Sequence, residues 1–225
     1  MLTSSVATAA GVPPAPIRIY RLVHFENLST LLVRAALHAP NWTPSDGLPY
    51  RTIHDVSVQA GRHNRPIPCG PHGTCHDYVS FYFGPLSVML LNLKTGRVPG
   101  YDEGQAPLVY LTTTVQQVND AGCRFVFSDG HGLASFTNWY DDLALLGRVD
   151  WELVGARYWA DQPDDNDRQR RKQAEFLVWR SLDWTLIDSM GVLNQQVKAD
   201  VEAMLRQHPD RAHPRVDIRP EWYYY

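Results

Sequence analysis

Arg170-Arg-Lys-Gln-Ala-Glu-Phe-Leu-Val-Trp179 is the stretch on which the reading of this chain turns. Ala174 to Trp179 has the apolar and aromatic content of a buried strand, and it carries one carboxylate, Glu175, at its mouth. Upstream the charge is sharply ordered. Asp161, Asp164, Asp165 and Asp167 come first, then Arg168, Arg170, Arg171 and Lys172. Two roles for Glu175 follow. It is a strand-edge ion pair with Arg171 or Lys172, or it is a functional carboxylate at the edge of a cleft. A carboxylate so placed can hydrogen-bond a sugar hydroxyl and stabilise an oxocarbenium-like centre. Glycosidic bonds break through such centres, including those that link a base to ribose.

The flanking elements set the fold class. Ile17-Arg-Ile-Tyr-Arg-Leu-Val23 alternates apolar and basic residues as a strand does. Leu28, Leu31, Leu32 and Ala35 then recur at helical spacing. Residues 39–78 read as a long functional loop, rich in Pro, Gly, His and Arg, with room for one short helix. Further strands are predicted at Val79–Phe83, Leu108–Thr113, Arg124–Phe127, Thr185–Asp188 and, as a closing edge, Arg215–Arg219. Short helices are predicted over Val115–Ala121 and Trp139–Leu146, and an amphipathic one through Leu193, Val197, Val201, Met204 and Leu205. Strands and helices mix without βαβ alternation, which predicts an α+β fold rather than a doubly wound sheet.

At 225 residues, 44% hydrophobic and 20% charged, the chain has the composition of one globular domain. We place that domain at 17–225, after a flexible Ala/Ser/Thr/Pro-rich tail at 1–16. Twenty-one basic and 24 acidic residues give a net charge of −3, which excludes holding nucleic acid by bulk positive charge. Any such contact must be local. The three cysteines cannot all pair, which favours a reducing, cytoplasmic compartment, and no apolar run approaches the roughly 18 residues of a membrane helix. Phosphate-loop, dinucleotide-fold, HExxH and GxSxG signatures are absent. Cys69-Gly-Pro-His72-Gly-Thr-Cys75-His76 offers metal-ligand types, but at Cys-x5-Cys spacing with no second pair, so no metal is expected. His24 ends the first strand, a place where a lone histidine is usually structural. Arg62 and Arg65 lie in the long loop, and arginine is the preferred phosphate clamp. Ser128-Asp-Gly-His131 is a turn signal first and a ligand loop second.

Four ordered stretches resemble the DarT family of bacterial DNA ADP-ribosyltransferase toxins. They are His24-Phe-Glu-Asn-Leu28, Asp77-Tyr-Val-Ser-Phe-Tyr-Phe83 running into Gly84-Pro-Leu-Ser-Val-Met-Leu90, Ser128-Asp-Gly-His131, and Arg170 to Val178. The ending Ile218-Arg-Pro-Glu-Trp-Tyr-Tyr224 adds to the likeness. The resemblance implies an ADP-ribosyltransferase fold, a split mixed β-sheet with NAD⁺ in its central cleft. It implies transfer of ADP-ribose from NAD⁺ to a base in single-stranded DNA, most often thymidine, by a toxin paired with a macrodomain antitoxin. Guanosine, RNA or protein acceptors, or an inert nucleotide-binding relative, are the alternatives. By the same resemblance Glu175 is the catalytic glutamate and Arg65, ahead of Arg62, the catalytic-loop arginine. His24, Asn27, Leu28, Tyr82, Arg62, Ser128 and His131 fall on the NAD⁺ side. Arg168, Arg170, Arg171 and Lys172, with Tyr158 and Trp159, fall on the DNA side, with their positive charge expected at the cleft mouth. One departure stands out: Leu86 occupies the place of the family's usual arginine.

Overall fold

The computed structural model describes residues 11–225, so most of the expected tail over 1–16 lies outside the described residues. In chain order the elements are β1 (Arg18–His24), α1 (Asn27–Arg34), β2 (Ala36–His38), α2 (Val56–Asn64), β3 (Tyr78–Tyr82) and α3 (Val88–Lys94). Then come β4 (Leu108–Thr114), α4 (Val115–Asp120), β5 (Phe125–Ser128), β6 (Trp139–Tyr140), α5 (Trp151–Gly155) and α6 (Arg168–Lys172). β7 (Glu175–Trp179), β8 (Ser181–Asp183), β9 (Ser189–Val192), α7 (Gln195–Arg206) and β10 (Arg215–Ile218) complete the chain. Eight strands form one mixed sheet in the order β10-β9-β4-β1-β3-β7-β5-β6, parallel only at β10/β9, and β2 pairs with β8 in a separate ribbon.

The sheet is split at its centre. β1 pairs with β4 along its whole length, from Arg18 opposite Thr114 to His24 opposite Leu108. On its other side β1 meets β3 at a single pair, Tyr20 opposite Tyr82. Beyond that point the strands part, and a side chain replaces the missing ladder bond: Arg21 Nη1 donates to the Ser80 carbonyl at 2.9 Å. β3 and β7 stay paired from Tyr78/Trp179 to Tyr82/Glu175. Strand alternation then sorts the side chains. Val79, Phe81, Phe83, Phe176 and Val178 enter the main core, where α1 and α7 bury Leu28, Leu31, Leu32, Val197 and Val201. Ser80, Tyr82 and Glu175 take the opposite face, in the opening of the split.

Local capping fixes the helices. Asp55 accepts from the Ser57 and Val58 N–H groups to start α2, Ser87 Oγ from Leu90 N to start α3, and Asn194 from Val197 N to start α7. Gly84, between β3 and α3, is required by close approach: a Cβ there would lie 2.2 Å from the Val154 carbonyl oxygen. The chain closes with an aromatic clasp. Tyr223 is wholly buried, and its hydroxyl donates between Leu108 O at 2.8 Å and Gly191 O at 3.0 Å.

Two predicted elements are corrected. The helix expected over Trp139–Leu146 is a two-residue strand, Trp139–Tyr140, followed by a 3-10 turn over Leu143–Arg148. Tyr140 pairs with Phe127 and stacks on its ring at 5.2 Å, and Asp142 caps Ala144 N, so the chain commits to the sheet edge before turning. The strand expected over Thr185–Asp188 is displaced to Ser189–Val192, because Asp183 caps a 3-10 turn over Trp184–Leu186. α3, α5, α6 and the β2/β8 ribbon were not anticipated. Among the described residues no helix is long and apolar enough to cross a membrane.

Candidate active site

Glu175 opens β7 and lies in register with Tyr82, which in turn pairs with Tyr20 across the seam. The carboxylate is 2% exposed. Its counter-charge comes from α2, 113 residues away in sequence: Arg62 Nη1 lies 2.9 Å from Oε1 and Nη2 2.8 Å from Oε2, a two-pronged fork. Nη2 also donates to Ser80 Oγ at 2.8 Å. The Gly132 N–H approaches Oε1 at 3.3 Å, and a Cβ on that glycine would lie 3.2 Å from the same oxygen. The backbone is locked in turn: Glu175 N donates to Ser128 Oγ at 3.2 Å, and that hydroxyl donates to Gly130 O at 2.7 Å.

The electrostatics follow from this geometry. Burial works against the Arg62 charge, but the Glu175 carboxylate and its hydrogen bonds outweigh it and hold the guanidinium above its usual range. Burial and the Glu175 charge keep the Tyr82 phenol protonated well beyond its ordinary value. Burial also lowers His131, so its ring is neutral near pH 7. A carboxylate offers about four lone-pair positions, of which Arg62 and Gly132 occupy three. One position remains on Oε2.

The structure brings Asn27, Arg62, Tyr82, His131 and Glu175 to the walls of one cleft. Asn27 spends its amide on the loop opposite, donating to Arg51 O at 2.8 Å and accepting from Arg51 N at 2.7 Å. Leu28 is core, and Ser128 acts from behind on the Glu175 backbone. His24 is 1% exposed; Nδ1 accepts from Glu26 N at 3.3 Å, while Nε2 has no hydrogen-bond partner. Burial, then the Arg51 charge, holds its pKa down. Arg65 caps the far end of α2 and reaches the Ala134 carbonyl at 2.9 Å, so of the two loop arginines it is Arg62 that meets Glu175. Leu86 is buried, in left-handed backbone, and does not line the cleft.

The expected positive charge at the mouth is not supplied by α6. Arg170 is forked onto Asp167 at 2.7 Å and reaches Asp129 at 2.9 Å. Arg171 pairs with Asp150 at 2.7 Å and with Asp165. Arg168 lies 3.8 Å from Asp165. The aspartates that precede the helix fold back onto the arginines that follow, as three- and four-residue spacing allows. The cations that do line the cleft are Arg21, Arg51 and Arg62. Arg21 was missed, because in a strand that alternates apolar and basic residues it reads as a solvent-facing position. Tyr158 is 84% exposed, whereas Trp159 is buried.

Lys172 has a different task. Its buried ammonium donates to Val154 O at 2.6 Å and Ala156 O at 2.8 Å, tying α5 to the segment that enters β7. Burial pushes its pKa down to about 8. Between that value and an unfolded value of about 10.4 the unfolded chain binds more protons, so stability rises with pH through this window. Below pH 8 the cost of the buried charge is fully present. Lys172→Met is therefore expected to narrow or reverse its stability gap to wild type as pH falls from 10.5 to 7.5, by on the order of 3 kcal/mol. Urea unfolding at the two pH values checks this, and a gap independent of pH contradicts it.

The split mixed sheet, with a buried, arginine-held glutamate heading β7 one strand in from the split, matches solved structures of the ADP-ribosyltransferase class. Residues 20–224 match the family model described as "ssDNA thymidine ADP-ribosyltransferase, DarT". The chain belongs to the DarT family. A DNA ADP-ribosyl transferase of Thermus sp. (strain 2.9) is 39% identical over 211 residues, covering 94% of this chain and 98% of the relative. Thermus sp. 2.9 DarT in complex with ADP-ribosylated ssDNA superimposes with a TM-score of 0.89 at 38% identity, over 96% of this chain and 100% of the other. The same Thermus protein in complex with NAD⁺ gives a TM-score of 0.85 over 95% of this chain and 100% of the other. By family, this chain is an NAD-dependent DNA ADP-ribosyltransferase.

Proposed function

We propose that the cleft of this chain transfers ADP-ribose from NAD⁺ to a thymine base of single-stranded DNA, with Glu175 as the catalytic carboxylate and Arg62 as the residue that holds it. The observation that carries this reading is the fork between Arg62 and both oxygens of Glu175 in the opening of the sheet. The cleft suits the co-substrate. Arg21 lines it, has no carboxylate partner among the described residues, and its Nε is buried without a hydrogen bond. Its guanidinium is a donor for phosphate and ribose oxygens, whereas His24 lies outside the cleft lining with Nε2 3.5 Å from Glu103 Oε2. Tyr82 offers an aromatic neighbour for a flat ring.

NAD⁺ supplies an activated ribosyl group whose bond to nicotinamide breaks with positive charge building on the sugar. Glu175 sets a fixed negative charge against that site, pre-oriented in a place screened from water, so little reorganisation is needed as the bond breaks. Arg62 keeps the carboxylate in one rotamer and leaves one position on Oε2 without a partner. That position can accept a hydrogen bond from a sugar hydroxyl or the proton that a thymine N3 must lose. A base inside a duplex cannot reach a recessed carboxylate, which accounts for a single-stranded acceptor. A macrodomain antitoxin that removes the product modification, and a cytoplasmic setting for both proteins, complete the proposal; the free Cys69, Cys75 and Cys123 suit a reducing compartment.

Labelled NAD⁺ offered with single-stranded DNA, duplex DNA, RNA and protein in competition tests the acceptor. Label is expected in thymine-containing single strands. Label mainly in RNA or protein overturns the acceptor, and no label in any acceptor overturns the function.

A further inference from the structure

A second concavity lies outside the cleft. Leu91, Arg157, Tyr158, Trp159, Tyr224 and Tyr225 line it. Its floor is rigid: the Trp159 indole N–H donates to Tyr224 Oη at 2.8 Å, and that hydroxyl donates to Leu86 O at 2.5 Å. Its rim is two exposed rings, Tyr158 at 84% and Tyr225 at 88% exposure. Arg157 stacks over the Tyr225 ring, its guanidinium carbon 4.4 Å from the centroid, and otherwise donates only to the carbonyls of Glu221 and Tyr223. Unlike Arg168, Arg170 and Arg171, it has no carboxylate partner among the described residues.

The position ties this groove to the active site. Leu91 belongs to α3, and Val88, Met89 and Asn92 of the same short helix line the cleft. The 157–160 segment begins beside Ala156, whose carbonyl Lys172 holds three residues ahead of Glu175. We propose that this groove takes an unpaired base that flanks the modified nucleotide in the single-stranded substrate, stacked on Tyr158 and Tyr225, with Arg157 facing the adjoining phosphate. The inference rests on the function proposed above. Flat exposed rings around one uncompensated guanidinium match the pattern that grips single strands without reading sequence. Bases locked in a duplex present no free face to such rings. A single cation is a poor match for an acidic peptide.

The test uses single-stranded oligonucleotides with one thymine and an abasic site walked through the flanking positions, their binding followed by fluorescence anisotropy. For wild type, one flanking position is expected to raise Kd about tenfold when its base is removed. The Tyr158→Ala/Tyr225→Ala double variant should bind the intact strand about tenfold more weakly and be indifferent to an abasic site at that position. Both rings are exposed, so the variant keeps its fold. Equal Kd values for variant and wild type, or an unchanged abasic profile, overturn the proposal. So does a variant that keeps its DNA affinity but loses binding to a co-purified antitoxin. Label transfer from NAD⁺ by wild type, run alongside, separates the cases: transfer with no groove effect leaves the function standing, and no transfer removes both.

Discussion

Glu175→Gln is expected to lower ADP-ribose transfer by about 10²–10³-fold while also costing about 3 kcal/mol of stability. Both effects come from one lost charge. The amide keeps the volume of the carboxylate and one acceptor oxygen, so the cleft retains its shape. It no longer opposes positive charge on the sugar. It also leaves the buried Arg62 guanidinium without a counter-ion, in a place where the full-strength pair lies at 2.8–2.9 Å. Initial rates of label transfer and urea unfolding read the two effects separately. A rate within tenfold of wild type would remove Glu175 from the chemistry. Full stability with a lost rate would mean that the ion pair contributes nothing to the fold.

Arg62→Lys is expected to lower transfer about 100-fold, and Arg65→Lys to leave it within about threefold of wild type. A lysine keeps the charge at position 62 but not the fork, so it cannot hold both oxygens of Glu175 and Ser80 Oγ at once. The carboxylate then swings, and an error of about 1 Å at a reacting centre is enough for a loss of that size. Arg65 serves the turn around Ala134, a backbone contact that a lysine can also make. Steady-state rates of the two variants under saturating NAD⁺ decide between them. A crippled Arg65→Lys beside an active Arg62→Lys would return the role to Arg65.

The strand that carries Glu175 was legible because a period of two is local: Phe176 and Val178 go to the core and Glu175 to the other face, whatever lies elsewhere in the chain. Its partner was not. Arg62 sits on a nine-residue helix within a Pro-, Gly- and His-rich run, and only tertiary packing swings that helix against β7. The same reason explains the dipolar segment. The order of charges at 161–172 is plain in the sequence, but its neutralisation draws on Asp129 and Asp150, which arrive from the turn after β5 and the cap of α5. Residues that looked ready for DNA are consumed within the protein. The mistaken helix at 139–146 shows the reverse error. Leu143, Leu145 and Leu146 suggest helical spacing, yet pairing with β5 claims the first two residues of the window. Arg157 and Tyr225 carried no signal at all, since their stacking joins positions far apart in the chain.

The net charge of −3 is consistent with this arrangement: most arginines near the cleft already have acidic partners, and the few without them lie where a substrate would pass. The most direct test of the central claim is mass spectrometry of a single-stranded, thymine-containing oligonucleotide after reaction with NAD⁺, run with wild type and with Glu175→Gln. The account predicts one added ADP-ribose on thymine with wild type and almost none with the variant. An unmodified strand with wild type, or equal modification by both proteins, would contradict it.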